Sequence, residues 1–113
     1  MTNAFTELAE RLQEFARARD WEQFHAPKNL ASALSVEAGE LLEHFMWLTE
    51  EQSRSLAADK REEVAMEMAD VLLYLVQLAT NLGIDLQHAA RKKIEINELR
   101  FPVEGNGRKH DES

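Results

Sequence analysis

Cysteine is absent from the 113 residues, so no disulfide framework exists to infer. Proline occurs twice and glycine four times; with few β-branched runs and no stretch that alternates apolar with polar, there is little to build strands from. The expected class is all-α. No apolar run approaches the roughly 18 residues of a membrane span, and no charged segment leads into a short apolar one, so a soluble, unexported, cytoplasmic chain is expected, with no membrane partner. Positive charge is also scarce. A formal net charge of −8 disfavours nucleic acid as a partner, because a polyanion would meet repulsion rather than release counterions. It leaves open a phosphorylated small molecule whose charge is offset by bound metal. No repeat of fixed period is evident, and the length suits a single domain.

Two segments stand out against this background. Glu37-Ala-Gly-Glu40 and Glu67-Met-Ala-Asp70 each place two acids three residues apart inside an apolar helical pattern, where i and i+3 share a face. The first apolar stripe is Leu30, Leu34, Ala38, Leu41, Phe45 and Leu48, with Glu37 and Glu40 about 60° and 120° to one side of Leu34. Val64, Met68, Val71, Leu75, Ala79 and Leu82 form the second, and Glu63, Glu67 and Asp70 fall on the same rotational side of it. Helices packed stripe to stripe bring such flanks together only if they run antiparallel. The linker Thr49 to Asp59 is too short to return the chain along a helix and suits an αα-hairpin. A hairpin centred near residue 54 brings both acid pairs to one level, so four carboxylates are predicted to share one side of one helix pair. Two charges about 4 Å apart repel by roughly 4 kcal/mol at an effective dielectric of 20, so such a group takes up protons or binds cations. Oxygen ligands without Cys or an interposed His favour Mg²⁺, or Mn²⁺ as a substitute, over Zn²⁺.

In chain order, Thr2 or Asn3 is expected to cap a helix ending near Asp20. Asn29 is expected to cap a second helix running to Trp47 or Leu48. The linker has room for a helical turn, a third helix spans about Lys60 to Leu82 with Gly83 as its stop, and Asp85 caps a fourth. Residues 1–102 form the expected domain. From Val103 to Ser113 the composition turns polar, which reads as a flexible tail.

The acid pairs, separated by 26 residues, resemble the signature of the MazG-type all-α nucleoside triphosphate pyrophosphohydrolases. The stretch from Arg19 to Leu30 (Arg19-Asp20-Trp21-Glu22-Gln23-Phe24-His25-x-Pro27-x-Asn29-Leu30), Glu37-x-Gly39-Glu40-Leu41, Phe45-x-Trp47 and Asp70-Val71-Leu72-x-Tyr74-Leu75 resemble the small dCTP pyrophosphatase branch. The similarity covers residues 5 to 102. It implies a four-helix MazG-like bundle completed by homo-oligomerisation, as a dimer or a dimer of dimers (a homotetramer). It also implies Mg²⁺-dependent hydrolysis of a (deoxy)nucleoside triphosphate, dCTP or a modified dCTP, to monophosphate and pyrophosphate, a housecleaning of the nucleotide pool. Glu37, Glu40, Glu67 and Asp70 would then be the metal ligands and catalytic acids, one of them or Glu63 positioning the attacking water. Trp21, His25, Trp47, Tyr74 and Asn97 would surround the base. Lys93 would contact phosphate, with Arg100 and Lys28 behind it, and His44 lies near the acids in angle. At Glu98, Leu99 and Phe101 the chain departs from those relatives, which are more basic there and carry an aromatic hydroxyl. Two alternatives compete. A di-iron carboxylate bundle needs Glu-x-x-His on two helices, and only Glu22-x-x-His25 fits. A non-catalytic Mg²⁺-binding helical interaction module needs only the acids.

Overall fold

Asn3 starts the first helix. Its side chain accepts the Thr6 amide at 2.9 Å, and α1 spans Ala4–Ala18, with Ala16 buried and Phe5, Leu8, Ala9 and Leu12 half-buried. The structure, a computed structural model, describes residues 3–103; the tail expected from 103 to 113 lies, past Val103, outside the described residues. At the end of α1, Asp20 adopts a positive φ of 56°. The Trp21 amide then returns to the Ala16 carbonyl at 2.8 Å, and that of Asp20 to Arg17 at 3.1 Å. This pair of bonds closes the helix and fixes the direction in which Trp21 leaves it.

A 3₁₀ turn, Glu22–Phe24, leads into α2, Pro27–Glu43. Asn29 is not the cap. The helix begins two residues earlier because proline at the first position has no N–H to leave unpaired and a φ already suited to the helix. Ala26, extended, is the capping residue, and the Asn29 side chain instead donates to the Phe24 carbonyl at 3.2 Å. Nor does α2 reach Trp47: the amides of His44 and Phe45 bond three residues back, to Leu41 and Leu42, tightening the chain into turns. Within the linker, Thr49 and Gln52 cap each other reciprocally at 3.1 and 2.9 Å around α3, Glu50–Ser53, which is the helical turn expected there. Arg54 reaches Glu50 and Glu51 at 3.7 and 3.3 Å, exposed pairs that contribute little.

Next comes α4, Ala58–Asn81. Gly83 stops it with a φ of 68°, the Ile84 amide bonding Ala79 at 2.8 Å and the Gly83 amide bonding Thr80 at 3.1 Å. An added Cβ at Gly83 would meet no atom within 4 Å, so substitution there tests backbone strain alone. Gly83→Ala is expected to lower unfolding free energy by about 1 to 2 kcal/mol, read from urea denaturation midpoints; an unchanged midpoint would refute it.

The chain bends by 103° before α5, Leu86–Arg100, which is capped by Asp85. The principal packing is α2 on α4, with α1 against α4. From His88 onward every residue of α5 is exposed. Among the described residues the expected all-α class holds: the four expected helices are present as α1, α2, α4 and α5, the linker turn α3 makes five, and α5 leaves the packed group of the single subunit. Consistent with that, the radius of gyration is 17.5 Å against about 13 Å for a compact chain of roughly 100 residues. Among the described residues, the buried hydrophobic ones are Ala16, Leu30, Val64, Val76 and Ala79. Met68 and Leu82 of the expected stripe are exposed, while Val76, outside it, is buried. One stripe cannot describe α4, which packs against both α2 and α1.

Candidate active site

Helices α2 and α4 run antiparallel, since Lys60 lies beside Glu43 and His44 while Asp70 lies beside Glu37. That register brings carboxylate oxygens of Glu37, Glu67 and Asp70 within 4.8 Å of one another. Glu37 and Glu67 are half-buried and Asp70 is exposed. The electrostatics are those of crowded acids. Glu37 holds its proton above the ordinary carboxylate range, first because the Glu67 carboxylate is close enough to share that proton, then through burial and the negative charges of Glu67 and Asp70. The Oε2 atom of Glu67 is buried with no hydrogen-bond partner, a costly state for a carboxylate oxygen unless a cation or proton is supplied. Three converging carboxylates, one with an orphaned buried oxygen and none accompanied by sulfur or nitrogen, fit a hard divalent cation such as Mg²⁺ or Mn²⁺.

Glu40, expected as the fourth ligand, stands outside the trio. It is exposed one turn along α2 and lines, with Glu67, Glu43, His44 and Lys60, a groove of about 370 Å³ beside it. Glu63 is exposed.

A second cavity, of about 430 Å³, adjoins the acids through Asp70 and is bounded by Trp21, His25, Tyr74 and Gln77. Trp21 meets Phe15 edge to face, centroids 5.6 Å apart and planes at 69°, and Arg19 lies 3.6 Å over the Phe15 ring. The aromatic wall is thus braced by α1. Of the residues expected around a base, the fold brings Trp21, His25 and Tyr74 together. Trp47, 85 % exposed, lies past the end of α2 and away from them. Lys93 and Asn97 project with the exposed part of α5, and Lys28 and Arg100 are exposed too.

Lys60 and Gln77 were not singled out from the sequence. Each lies seven residues from an acid of the second motif, Lys60 before Glu67 and Gln77 after Asp70, so extending the same helical row in both directions reaches them.

Residues 32–112 match the model of the MazG-like family. Over 92 residues, 80% of the chain, the sequence is 47% identical to dCTP pyrophosphatase 1 of Bos taurus and equally to that of Homo sapiens. These alignments take in 54% of each relative, so the chain spans about half the length of the curated relatives it matches. A dATP/dGTP diphosphohydrolase of Cyanophage S-2L is 42% identical over 53 residues, 47% of this chain and 50% of that protein. Among solved structures, a pyrophosphatase from Archaeoglobus fulgidus superposes with a TM-score of 0.82 and 37% identity, covering 90% of this chain and 95% of that one.

Proposed function

The chain belongs to the MazG-like family, and from that premise we propose that it hydrolyses a (deoxy)nucleoside triphosphate, dCTP or a modified dCTP foremost, between the α and β phosphates. The products are the monophosphate and pyrophosphate, and the role is housecleaning of the cytoplasmic nucleotide pool. One observation carries this reading: Asp70 belongs both to the carboxylate trio and to the aromatic cavity, so a triphosphate at the acids has room for its base against Trp21 and Tyr74. Homology to pyrophosphatases of about this identity supports it.

Glu37, Glu67 and Asp70 would hold Mg²⁺, with Glu40 on the neighbouring turn acting on the ion's outer surroundings. When bound, the ion neutralises phosphate oxygens and lowers the pKa of water. The protein's share is positioning: the acids fix where the phosphates lie, the aromatic faces orient the base, and the α1–α4 wall excludes water from one side.

Trp47, Lys93 and Asn97 enter this scheme from a neighbouring subunit, in a dimer or a dimer of dimers. The exposed Leu42, Met46, Trp47 and Met68 beside α2 and α4, and Ile94 and Leu99 on α5, are more apolar surface than one subunit covers. Trp47→Ala is then expected to raise KM about tenfold, stacking being worth roughly 1 to 3 kcal/mol per base, and to blunt selectivity among bases. An unchanged substrate profile would assign Trp47 to subunit packing alone.

A panel of nucleoside triphosphates incubated with Mg²⁺ tests the function. Monophosphate plus pyrophosphate supports it. Orthophosphate would mean cleavage at the wrong bond, and no product with any nucleotide would favour the non-catalytic Mg²⁺-binding module.

A further inference from the structure

Asp70, Tyr74 and Gln77 follow one another at i, i+4 and i+7 along α4, so they share a face. Gln77 lies two turns, about 10 Å, beyond the acid. Gln77 lines both the 430 Å³ cavity and a smaller one of about 190 Å³, as do Leu12 and His25. Two polar neighbours on its own helix are engaged. Thr80 Oγ1 donates to the Val76 carbonyl at 2.8 Å, and Asn81 Nδ2 donates to the backbone carbonyl of Gln77 at 3.3 Å. The side-chain oxygen of Gln77, by contrast, is buried without a hydrogen-bond partner.

We propose that Gln77 sets base specificity, its buried, unpaired amide oxygen turning into the cavity the residue lines to accept a hydrogen bond from an exocyclic amino group and so selecting an aminopyrimidine over its oxo counterpart. The proposal deepens the nucleotide reading above and rests on it. A buried acceptor without a donor is held at a free-energy cost, which is relieved when a ligand supplies the N–H. The last torsion of a glutamine is broad and nearly two-fold, so the oxygen turns toward a ligand without moving the stem. The selectivity follows from the donor and acceptor inventory. Cytosine presents an amino donor at the ring position where uracil and thymine present a carbonyl. A carbonyl there would face the Gln77 oxygen acceptor to acceptor, leaving both unpaired.

The test compares dCTP with dUTP, which differ only in the C4 substituent and the accompanying proton at N3. Wild type, Gln77→Met, Gln77→Leu and Gln77→Glu are assayed for kcat/KM by pyrophosphate release, and binding of dCMP and dUMP is measured by calorimetry. Thermal unfolding confirms that each variant folds. Wild type is expected to prefer dCTP, and Gln77→Met and Gln77→Leu to lose about tenfold on dCTP and little on dUTP. Gln77→Glu, which keeps the acceptor, is expected to retain the preference, and dCMP is expected to bind wild type more tightly than dUMP. An unaltered dCTP-to-dUTP ratio in a folded apolar variant overturns the role of Gln77 while leaving the hydrolase intact. Absence of hydrolysis by wild type overturns the function itself, and equal binding of the two monophosphates then removes Gln77 as a base reader as well.

Discussion

Glu67→Gln is expected to reduce turnover by about a thousandfold or more while leaving the melting temperature of the metal-free protein unchanged or higher. The two effects have one origin. Glu67 sits with Glu37 and Asp70 within a 4.8 Å group, and a pair of like charges about 4 Å apart costs roughly 4 kcal/mol at an effective dielectric of 20. An amide of the same shape removes a negative charge from that group, so the fold is relieved. The same change removes an anionic ligand with a buried, unpartnered oxygen, and with it the charge that holds a divalent ion against the phosphates, which is where most phosphoryl-transfer catalysis resides. Asp70→Asn is expected to behave alike. Glu40→Gln, outside the trio and exposed, is expected to lose only about 10- to 100-fold, as a residue acting on the ion's outer surroundings does. Initial rates of pyrophosphate release, paired with thermal unfolding in a chelator, measure both arms. Full activity in Glu67→Gln would take the residue out of the site.

What could be read ahead of the coordinates was what a helix writes into its own spacing. The i, i+3 acids and the 3-4 apolar rows around Leu30 and Val64 are local, and the short Thr49–Asp59 linker leaves α2 and α4 one way to meet. Hence the convergence of Glu37, Glu67 and Asp70 was legible. The start of α2 was missed because Asn29 and Pro27 are both good starting residues, and the choice between them depends on the bond Asn29 makes back to Phe24. Val76 was missed because α4 serves two neighbours, and a single stripe reports only one. Trp47, Lys93 and Asn97 are a different matter. Their side chains stand clear of the subunit, so no property of one chain's helical periodicity states what they meet. Gln77 was within reach of helical spacing, two turns beyond Asp70 on the same face, but a neutral amide on an apolar helix carries no charge to draw the eye.

Without divalent cations the protein is expected to grow less stable as pH rises from about 4.5 toward neutrality, and millimolar Mg²⁺ to reverse this with a large rise in melting temperature. The sign follows from Glu37, whose folded pKa is raised above the ordinary 4.5. In the window between the two values the folded chain holds a proton that the unfolded chain has released. By linkage, the stabilisation is whole below the unfolded pKa and is lost as pH climbs through the folded one. A bound cation takes the proton's place, so binding should release protons from the folded protein in that same window and weaken as pH falls. At a hundred times its dissociation constant a ligand adds about 2.7 kcal/mol to stability, which for a domain of roughly 100 residues raises the melting temperature by about 10 to 20 °C. Glu37→Gln should flatten the pH dependence in chelator and shrink the Mg²⁺ response together, because one carboxyl is responsible for both. Calorimetric scans at several pH values, with and without Mg²⁺, check the pairing. If melting at pH 7.5 ignores Mg²⁺ at tens of millimolar, the three carboxylates are crowded for some reason other than holding a cation, and the reading of the site as a metal-dependent hydrolase goes with them.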